Sequence, residues 1–262
     1  MKKILAMLFC AVALCASAIA PEDGKKVKLS SGAEMTIFSP ANPDGRAVVA
    51  YPGGAYFFVS MGNEGFDAAD WMLDNNITYA VVNYTLPAGN RELPLNDAWE
   101  AVRYIKSNAA ELKVDPKKVG VMGSSAGGHL AATVSTIAPD PESRPAFTIL
   151  LYPVISMWDD ANVHKGSRDN LLGKNADEQT LRHYSPDLRV DSMTPPAFIV
   201  LCGDDDIVEP INGLRYYMAL QEKGINASIH IYPTGKHGFG WLDRPFKKVW
   251  TDDLGYWLET LK

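Results

Sequence analysis

The stretch Val119-Gly120-Val121-Met122-Gly123-Ser124-Ser125-Ala126-Gly127-Gly128-His129-Leu130 indicates the fold. It begins as a short β-branched run, passes through a Gly-x-Ser-x-Gly pattern and continues with small and apolar residues typical of a helix. A serine at the tip of a sharp strand-to-helix turn requires neighbours without bulky side chains, because both flanks fold against it. Gly123 and Gly127 meet that requirement, so Ser125 is the candidate nucleophile.

The same segment and an earlier turn offer hydrogen-bond donors for an oxyanion. Ala126 begins the predicted helix, so its amide lies near the positive end of the helix dipole. The earlier turn, Pro52-Gly53-Gly54-Ala55-Tyr56, follows consecutive apolar residues at 46–51 that predict a buried strand of a parallel sheet. A glycine-rich turn at the end of a central strand lets backbone amides face a cleft. We therefore expect the amides of Ala126 and of Gly54 and Ala55 to form an oxyanion hole.

A serine hydroxyl is a weak nucleophile until a base takes its proton, and His237 is the candidate base. It lies in Gly235-Lys236-His237-Gly238-Phe239-Gly240, after the last predicted strand. The surrounding glycines suit a loop that must bring an imidazole to Ser125. The remaining histidines lack that setting and are interpreted as packed, hydrogen-bonded or surface residues: His129, His164, His183 and His230.

The carboxylate that would orient this imidazole comes from the segment Gly203-Asp204-Asp205-Asp206-Ile207-Val208, which also follows a predicted strand. Parallel strands place their sites at their carboxyl ends, so this segment and the histidine loop are expected at one edge. Two assignments remain open. The spacing of an acid, two residues and a valine favours Asp205, whereas counting from Gly203 selects Asp206. Contiguous carboxylates point in different directions and no His and Cys residues cluster, so no calcium or zinc site is predicted.

Predicted strands and helices alternate along residues 21–262 without internal repeats or linkers. This pattern predicts a single α/β domain with a doubly wound, mostly parallel sheet and helices on both faces. Residues 25–38 alternate polar and apolar side chains around a Ser-Gly pair, which predicts a leading antiparallel hairpin. Residues 155–196 are polar, and we expect them to be irregular and to form a lid-like insertion, because so long a connection is usually functional.

Several other residues receive structural interpretations. Asp97, with Glu100 three residues on, is expected to cap a helix that opens at residues 94–97. Aromatic residues near the predicted turns either line a substrate pocket or pack in the core: Tyr56, Phe57, Trp158 and Trp241.

The N-terminal residues match a secretory signal. Lys2 and Lys3 precede an apolar run at 4–16 that is too short to span a bilayer, and a small-residue cleavage site follows it. We expect residues 1–20 to be a signal peptide that directs the protein to the periplasm or the medium. Lipid anchoring at Cys15 is the less favoured alternative, because leucine precedes this cysteine.

Composition narrows the classes of partner. The formal net charge is −6 and the charges are mixed along the chain, so neither nucleic acid nor an anionic membrane is an expected partner. After removal of the signal only Cys202 remains, so the domain would have no internal disulfide and must be stabilised by its core. The sequence does not predict an oligomeric state.

With Ser125, Asp205 and His237 in the order serine, acid and histidine, the chain resembles the α/β-hydrolase carbohydrate esterases of gut and rumen bacteria. These include acetyl xylan esterases and feruloyl esterases related to the prolyl-oligopeptidase catalytic domain. The resemblance covers nearly all of the predicted mature chain. It rests on five segments of the sequence, at residues 51–54, 94–98, 123–131, 167–173 and 233–240. Ala55 replaces the third glycine of the fuller glycine loop, and Glu209 stands where a proline often follows the valine.

The resemblance implies a serine esterase without a cofactor that removes acyl groups from plant cell-wall polysaccharide or oligosaccharides such as xylan. Acetyl is the favoured acyl group, and feruloyl is the alternative. A peptidase of the prolyl-oligopeptidase type and a non-catalytic carbohydrate-binding protein are the rival hypotheses. The first usually carries a large β-propeller, for which the chain has no room, and the second generally lacks the serine or the histidine.

Overall fold

The computed structural model describes residues 19–158 and 161–261. Most of the predicted signal peptide, residues 1–18, lies outside the described residues. No helix within the described ranges is long and apolar enough to cross a membrane.

Within these ranges eight strands form one sheet in the order β1-β2-β4-β3-β5-β6-β7-β8. Their bounds are β1 (Lys25–Lys28), β2 (Glu34–Phe38), β3 (Ala47–Tyr51), β4 (Thr78–Asn83), β5 (Val119–Ser124), β6 (Thr148–Leu151), β7 (Ala197–Cys202) and β8 (Ala227–Tyr232). β2 pairs antiparallel with both β1 and β4, and the other neighbours pair in parallel. The leading hairpin and the mostly parallel sheet are both confirmed.

Helices cover both faces of the sheet, as the fold-class prediction required. Their bounds are α1 (Ala69–Asp74), α2 (Glu92–Ser107), α3 (Ala109–Leu112), α4 (Ser125–Thr136), α5 (Lys165–Leu172), α6 (Glu178–His183), α7 (Ile211–Glu222) and α8 (Lys247–Thr260). Side chains of α2, α4 and α7 share one hydrophobic cluster with one face of the strands, and those of α1 and α8 share a second cluster with the other face. Alternate residues of a strand point to opposite faces, so Val48 and Val49 belong to different clusters.

This topology determines where the functional loops meet. β3 and β5 are parallel neighbours, and Tyr51 lies opposite Gly123 in their register. The glycine-rich turn after β3 and the serine turn after β5 therefore leave the sheet side by side. β7 and β8 also end at this edge, because they run parallel to the same strands.

The predicted cap on α2 is wrong. The helix begins at Glu92, before Pro94, which its first turn tolerates because the amide there has no intrahelical acceptor. Asp97 lies inside the helix, is buried and accepts a hydrogen bond from the Thr85 amide at 2.6 Å. Glu100 accepts hydrogen bonds from the β1–β2 hairpin, including one from the Ser30 hydroxyl at 2.6 Å. Both carboxylates therefore hold neighbouring loops rather than cap their own helix.

The segment predicted to be irregular is more ordered than expected. Residues 155–196 contain α5, α6 and a short 3-10 helix at Pro186–Leu188. Leu171 and Leu172 at the end of α5 are buried in the cluster on the α2 and α4 face of the sheet. Their burial anchors this segment to the domain. A short helix has little stability of its own and is stabilised mainly by apolar side chains that pack against a core.

Candidate active site

Ser125 occupies the turn between β5 and α4 with a backbone φ of 54°, in the left-handed region that few non-glycine residues adopt. The flanking glycines make this turn possible. A Cβ added at Gly123 would lie 2.0 Å from the carbonyl oxygen of Gly127, and one added at Gly127 would lie 1.9 Å from the carbonyl oxygen of Tyr51. The close approach of three backbone segments therefore excludes side chains at both positions.

His237 lies between Ser125 and Asp205. Its Nε2 is 2.8 Å from Ser125 Oγ, and its Nδ1 is 2.8 Å from Asp205 Oδ2. An ionised carboxylate only accepts hydrogen bonds, so the neutral imidazole carries its proton on Nδ1 and accepts the serine proton at Nε2. This is the geometry of a serine nucleophile, a general base and an orienting acid.

The structure brings Asp205, and not Asp206, to the imidazole. The side chain of Asp205 is 2% exposed, and its Oδ1 accepts hydrogen bonds from the amides of Ile207 and Val208 at 3.0 Å each. Asp206 points to solvent and forms an ion pair with Lys236 Nζ at 3.4 Å. The tight turn after β7 therefore turns only one of the neighbouring carboxylates inward.

The glycine-rich loop after β3 has an unusual backbone. Gly54, Ala55 and Tyr56 have φ values of 123°, 54° and 57°. The Gly54 carbonyl accepts the amides of Phe57 and Phe58, which closes the turn. Within the described part of the chain, the amides of Gly54 and Ala55 have no hydrogen-bond acceptor. Both remain available to a ligand.

Ala126 supplies a further amide beside the serine. It lies in the first turn of α4, where backbone amides have no intrahelical acceptor. The glycine loop is in contact with this turn, because a Cβ added at Gly53 would lie 2.9 Å from Ser125 Cβ. The three amides predicted to form an oxyanion hole therefore belong to two adjoining turns.

The alpha/beta hydrolase fold family profile matches residues 48–240, which include the glycine loop, the serine turn, the acid and the histidine. The chain belongs to this family.

Comparison with known proteins shows which members of this family the chain resembles. It is 42% identical over 247 residues to an acetylxylan esterase of Xylanibacter ruminicola, and the match covers 92% of this chain and 49% of that protein. It is 31% identical over 218 residues to endo-1,4-beta-xylanase B of Butyrivibrio fibrisolvens, with 78% of this chain and 34% of that protein covered. The chain thus spans about half, or less, of the length of these two relatives.

Among solved structures, the chain resembles an acetyl ester-xyloside bifunctional hydrolase from Caldicellulosiruptor lactoaceticus. The TM-score is 0.80 at 32% sequence identity, and the match covers 87% of this chain and 88% of the other.

A buried carboxylate that the sequence analysis missed lies under the glycine loop. Glu64 Oε2 accepts a hydrogen bond from the Gly53 amide at 2.8 Å, and Oε1 accepts one from the Tyr152 hydroxyl at 2.8 Å. Burial raises the pKa of Glu64, while both hydrogen bonds and the charge of His237 act in the opposite direction. The available sequence signal was a lone acidic residue in an otherwise uncharged stretch soon after the glycine loop.

His129 is a buried structural residue of α4, as the sequence analysis favoured. Its Nε2 is 2.8 Å from the Tyr184 carbonyl oxygen and its Nδ1 is 2.8 Å from the Tyr56 hydroxyl. A carbonyl only accepts, so Nε2 carries the proton and Nδ1 accepts from Tyr56. Burial lowers the pKa of His129 to about 4, although the bond to the Tyr184 carbonyl favours the charged form. The imidazole thus links the nucleophile helix, the glycine loop and the 155–196 segment.

The other histidines make no hydrogen bond to Ser125, His237 or Asp205 among the described contacts, although His164 is close enough to His237 and Asp205 to interact with their charges. His230, in β8, is 2.8 Å from the Ser228 hydroxyl and 3.3 Å from an Asp253 carboxylate oxygen. His164 caps the N-terminus of α5, and His183 ends α6.

The four aromatic residues that could line a pocket divide into two groups. Tyr56 and Trp241 are buried in the core, each with 2% of its surface exposed. Phe57 is 74% exposed beside the glycine loop. The Trp158 ring carries the Arg182 guanidinium 3.8 Å from its centroid.

No group of three or more His, Cys, Asp or Glu side chains in the described ranges could hold a metal ion.

Proposed function

We propose that this protein is a serine esterase that removes acetyl groups from xylan or its oligosaccharides. The observation that carries the proposal is the row Ser125–His237–Asp205, with both hydrogen bonds at 2.8 Å, beside unpaired amides of the glycine loop. Such a row activates a serine, and amides aimed at a developing oxyanion supply the main stabilisation in acyl transfer.

The reaction proceeds in two acyl-transfer steps. Ser125 Oγ attacks the ester carbonyl carbon while its proton moves to His237 Nε2. Asp205 remains ionised and stabilises the imidazolium through Nδ1–H. The oxyanion accepts hydrogen bonds from the amides of Ala126 and of Gly54 or Ala55. His237 then protonates the departing sugar oxygen, the acetyl-serine forms, and a water molecule activated by the same imidazole releases acetate and restores the serine.

The choice of substrate is supported by the relatives. One relative is named as an acetylxylan esterase, and a structural neighbour is named as acting on acetyl esters and xylosides. Both names refer to acetyl esters, so acetyl is the proposed acyl group and feruloyl is the alternative that an experiment must separate.

The insertion at 155–196 borders the substrate cleft in this proposal. The Asn170 side-chain amide, in α5, donates a hydrogen bond to the Ala55 carbonyl at 2.9 Å. This bond joins the insertion to the glycine loop whose amides are proposed to hold the oxyanion. A lid that contacts substrate is therefore expected to include α5.

We also propose that the protein is exported and that residues 1–20 are removed as a signal peptide. N-terminal sequencing of the protein recovered from its native host tests this point, and a mature protein that starts at Met1 would contradict it.

The central test compares Ser125→Ala with Ser107→Ala, a matched change at the exposed end of α2. Acetate release from acetylated xylan and hydrolysis of 4-nitrophenyl acetate are measured for each. Ser125→Ala should lose at least about 10³-fold in kcat, because the covalent route is removed, and Ser107→Ala should match the unmodified protein. An unmodified protein that turns over neither substrate, or equal rates in Ser125→Ala, would refute an esterase that uses this serine.

Acyl specificity is tested by incubating the protein with acetylated xylan and methyl ferulate side by side. Acetate release without ferulate release supports the proposed substrate. Ferulate release alone would retain the esterase chemistry and overturn the acetyl assignment.

A further inference from the structure

Glu64 is a buried carboxylate that the mechanism above does not use. It follows the glycine loop, before α1, and the whole residue is 6% exposed. Burial of an ionisable group costs free energy unless its charge is compensated by hydrogen bonds. Here each oxygen accepts one strong donor, the Gly53 amide on Oε2 and the Tyr152 hydroxyl on Oε1, both at 2.8 Å. A site that accepts this cost beside a reactive serine suggests a use for the charge.

The first bond fixes the direction of the glycine loop. The peptide unit between Pro52 and Gly53 is held at both ends, because the Tyr84 hydroxyl donates to the Pro52 carbonyl at 2.8 Å and the Gly53 amide donates to Glu64. The next peptide unit is held by the Ser60 amide, which donates to the Gly53 carbonyl at 2.9 Å. In a trans peptide the carbonyl and the following amide point in opposite directions, so the Gly54 amide is directed away from Ser60.

Packing adds to this constraint. A Cβ added at Gly53 would lie 2.5 Å from Glu64 Oε2 and 2.9 Å from Ser125 Cβ. Gly53 is therefore enclosed between the carboxylate and the nucleophile. A shift of the Glu64 side chain would move the amide that precedes the oxyanion donors, and donors of this kind act over tenths of an ångström.

The second bond connects Glu64 to the base. The Tyr152 ring contacts the His237 imidazole edge to face, with centroids 4.9 Å apart and planes at 69°. The charged and titratable groups that act on this imidazole are Asp205 at 2.8 Å, Glu64 behind Tyr152, and His164. A negative charge at Glu64 stabilises the imidazolium that forms when the serine proton is taken up.

We propose that Glu64 is an ionised positioning residue of the esterase reaction, which holds the Gly53 amide for the oxyanion loop and supports the imidazolium of His237. It touches neither the substrate nor the reacting atoms. This inference rests on the proposed function, because it assigns a role within the same reaction.

Two substitutions separate geometry from charge. Glu64→Leu removes the carboxylate that accepts the Gly53 amide and the Tyr152 hydroxyl proton. Glu64→Gln keeps an oxygen for the Gly53 amide, and its NH₂ can donate to the Tyr152 oxygen, but the charge is lost. Glu100→Leu is the matched control, because that carboxylate also accepts backbone and hydroxyl donors, in the β1–β2 hairpin.

We expect Glu64→Leu to lower kcat for 4-nitrophenyl acetate about 10²-fold with KM changed less than about threefold, as for the loss of an oxyanion donor. Glu64→Gln should recover most of that loss. In a plot of kcat/KM against pH, the acidic limb of this variant should lie at a lower pH than that of the unmodified protein. The imidazolium of His237 loses a neighbouring negative charge, so more acid is needed to protonate the base. Glu100→Leu should show neither effect.

Circular dichroism establishes that each variant is folded before kinetics are compared. A folded Glu64→Leu with unmodified kcat would overturn the positioning role, and a Glu64→Gln profile that coincides with that of the unmodified protein would overturn the ionised state. If Glu64→Leu does not fold, the profile of Glu64→Gln decides alone. An unmodified protein that lacks esterase activity instead refutes the proposed function, so the two failures are distinguishable.

Discussion

The buried imidazole of His129 should make the stability of this protein fall steeply in mild acid. The residue is 1% exposed, and in its present tautomer Nδ1 accepts the Tyr56 hydroxyl while Nε2 donates to the Tyr184 carbonyl. A second proton would convert Nδ1 into a donor and place an unpaired charge in the core. The perturbation is therefore a change of pH from about 7, which is above the ordinary pKa of histidine, to about 4.5, which is just above the pKa of this site.

The lowered pKa of His129 determines whether stability rises or falls with pH. Burial lowers the pKa of His129 from 6.5 to about 4, so between these values the unfolded chain binds a proton that the folded protein does not. Stability from this residue is fully present above about pH 6.5 and is lost as the pH falls towards about 4. At about 1.4 kcal/mol per pKa unit, the loss between about pH 7 and about pH 4.5 amounts to about 2 kcal/mol.

The assay is urea unfolding, followed by tryptophan fluorescence, across this pH range for the unmodified protein and for His129→Gln. The glutamine does not titrate and retains an amide donor, so its constant offset in stability is irrelevant and only the slope is compared. From the upper to the lower pH, the unfolding free energy of the unmodified protein should fall by about 2 kcal/mol relative to that of His129→Gln. Parallel curves would refute a buried neutral histidine at this position.

Two further predictions test the serine turn and the identity of the acid. Gly127→Ala should destabilise the protein by about 3 kcal/mol or more in the same unfolding assay, because the added Cβ would lie 1.9 Å from the Tyr51 carbonyl oxygen. Gly62→Ala, where no described atom beyond the residue itself and its chain neighbours lies within 4 Å of the added Cβ, should change stability by less than about 0.5 kcal/mol, and equal effects would contradict the packing argument. Asp205→Asn should lower kcat about 10⁴-fold, because the amide no longer selects the reactive tautomer or stabilises the imidazolium. Asp206→Asn should change kcat less than about twofold, because it removes only an exposed ion pair, and a reversed order of the two effects would exclude Asp205 as the acid.

The elements that sequence analysis predicted best are those with a strong local pattern. The buried strands are continuous apolar runs, and β3, β5 and β7 follow those runs closely. The start of α2 was missed because Asp97 and Glu100 form a valid capping pattern locally, while in the fold they bind Thr85 and Ser30. Tertiary partners here override a local rule.

The helices of the 155–196 segment were missed for a related reason. Its short helices have little intrinsic stability and weak periodicity, so they form because their ends pack on the domain. Leu171 and Leu172 supply that packing, and no local pattern in a polar stretch identifies which two leucines will be buried.

By itself, the sequence determined the serine turn, the histidine loop and the alternation of strands and helices. Each depends on residues close together in the chain, such as the glycines around Ser125, whose absence of side chains is a local steric requirement. Only the tertiary structure showed that Asp205, and not Asp206, faces His237, because adjacent carboxylates on a tight turn differ only in direction. It also revealed Glu64. The bond between Glu64 and Tyr152 joins residues 88 positions apart, and such a pairing exists only after the strands have stacked.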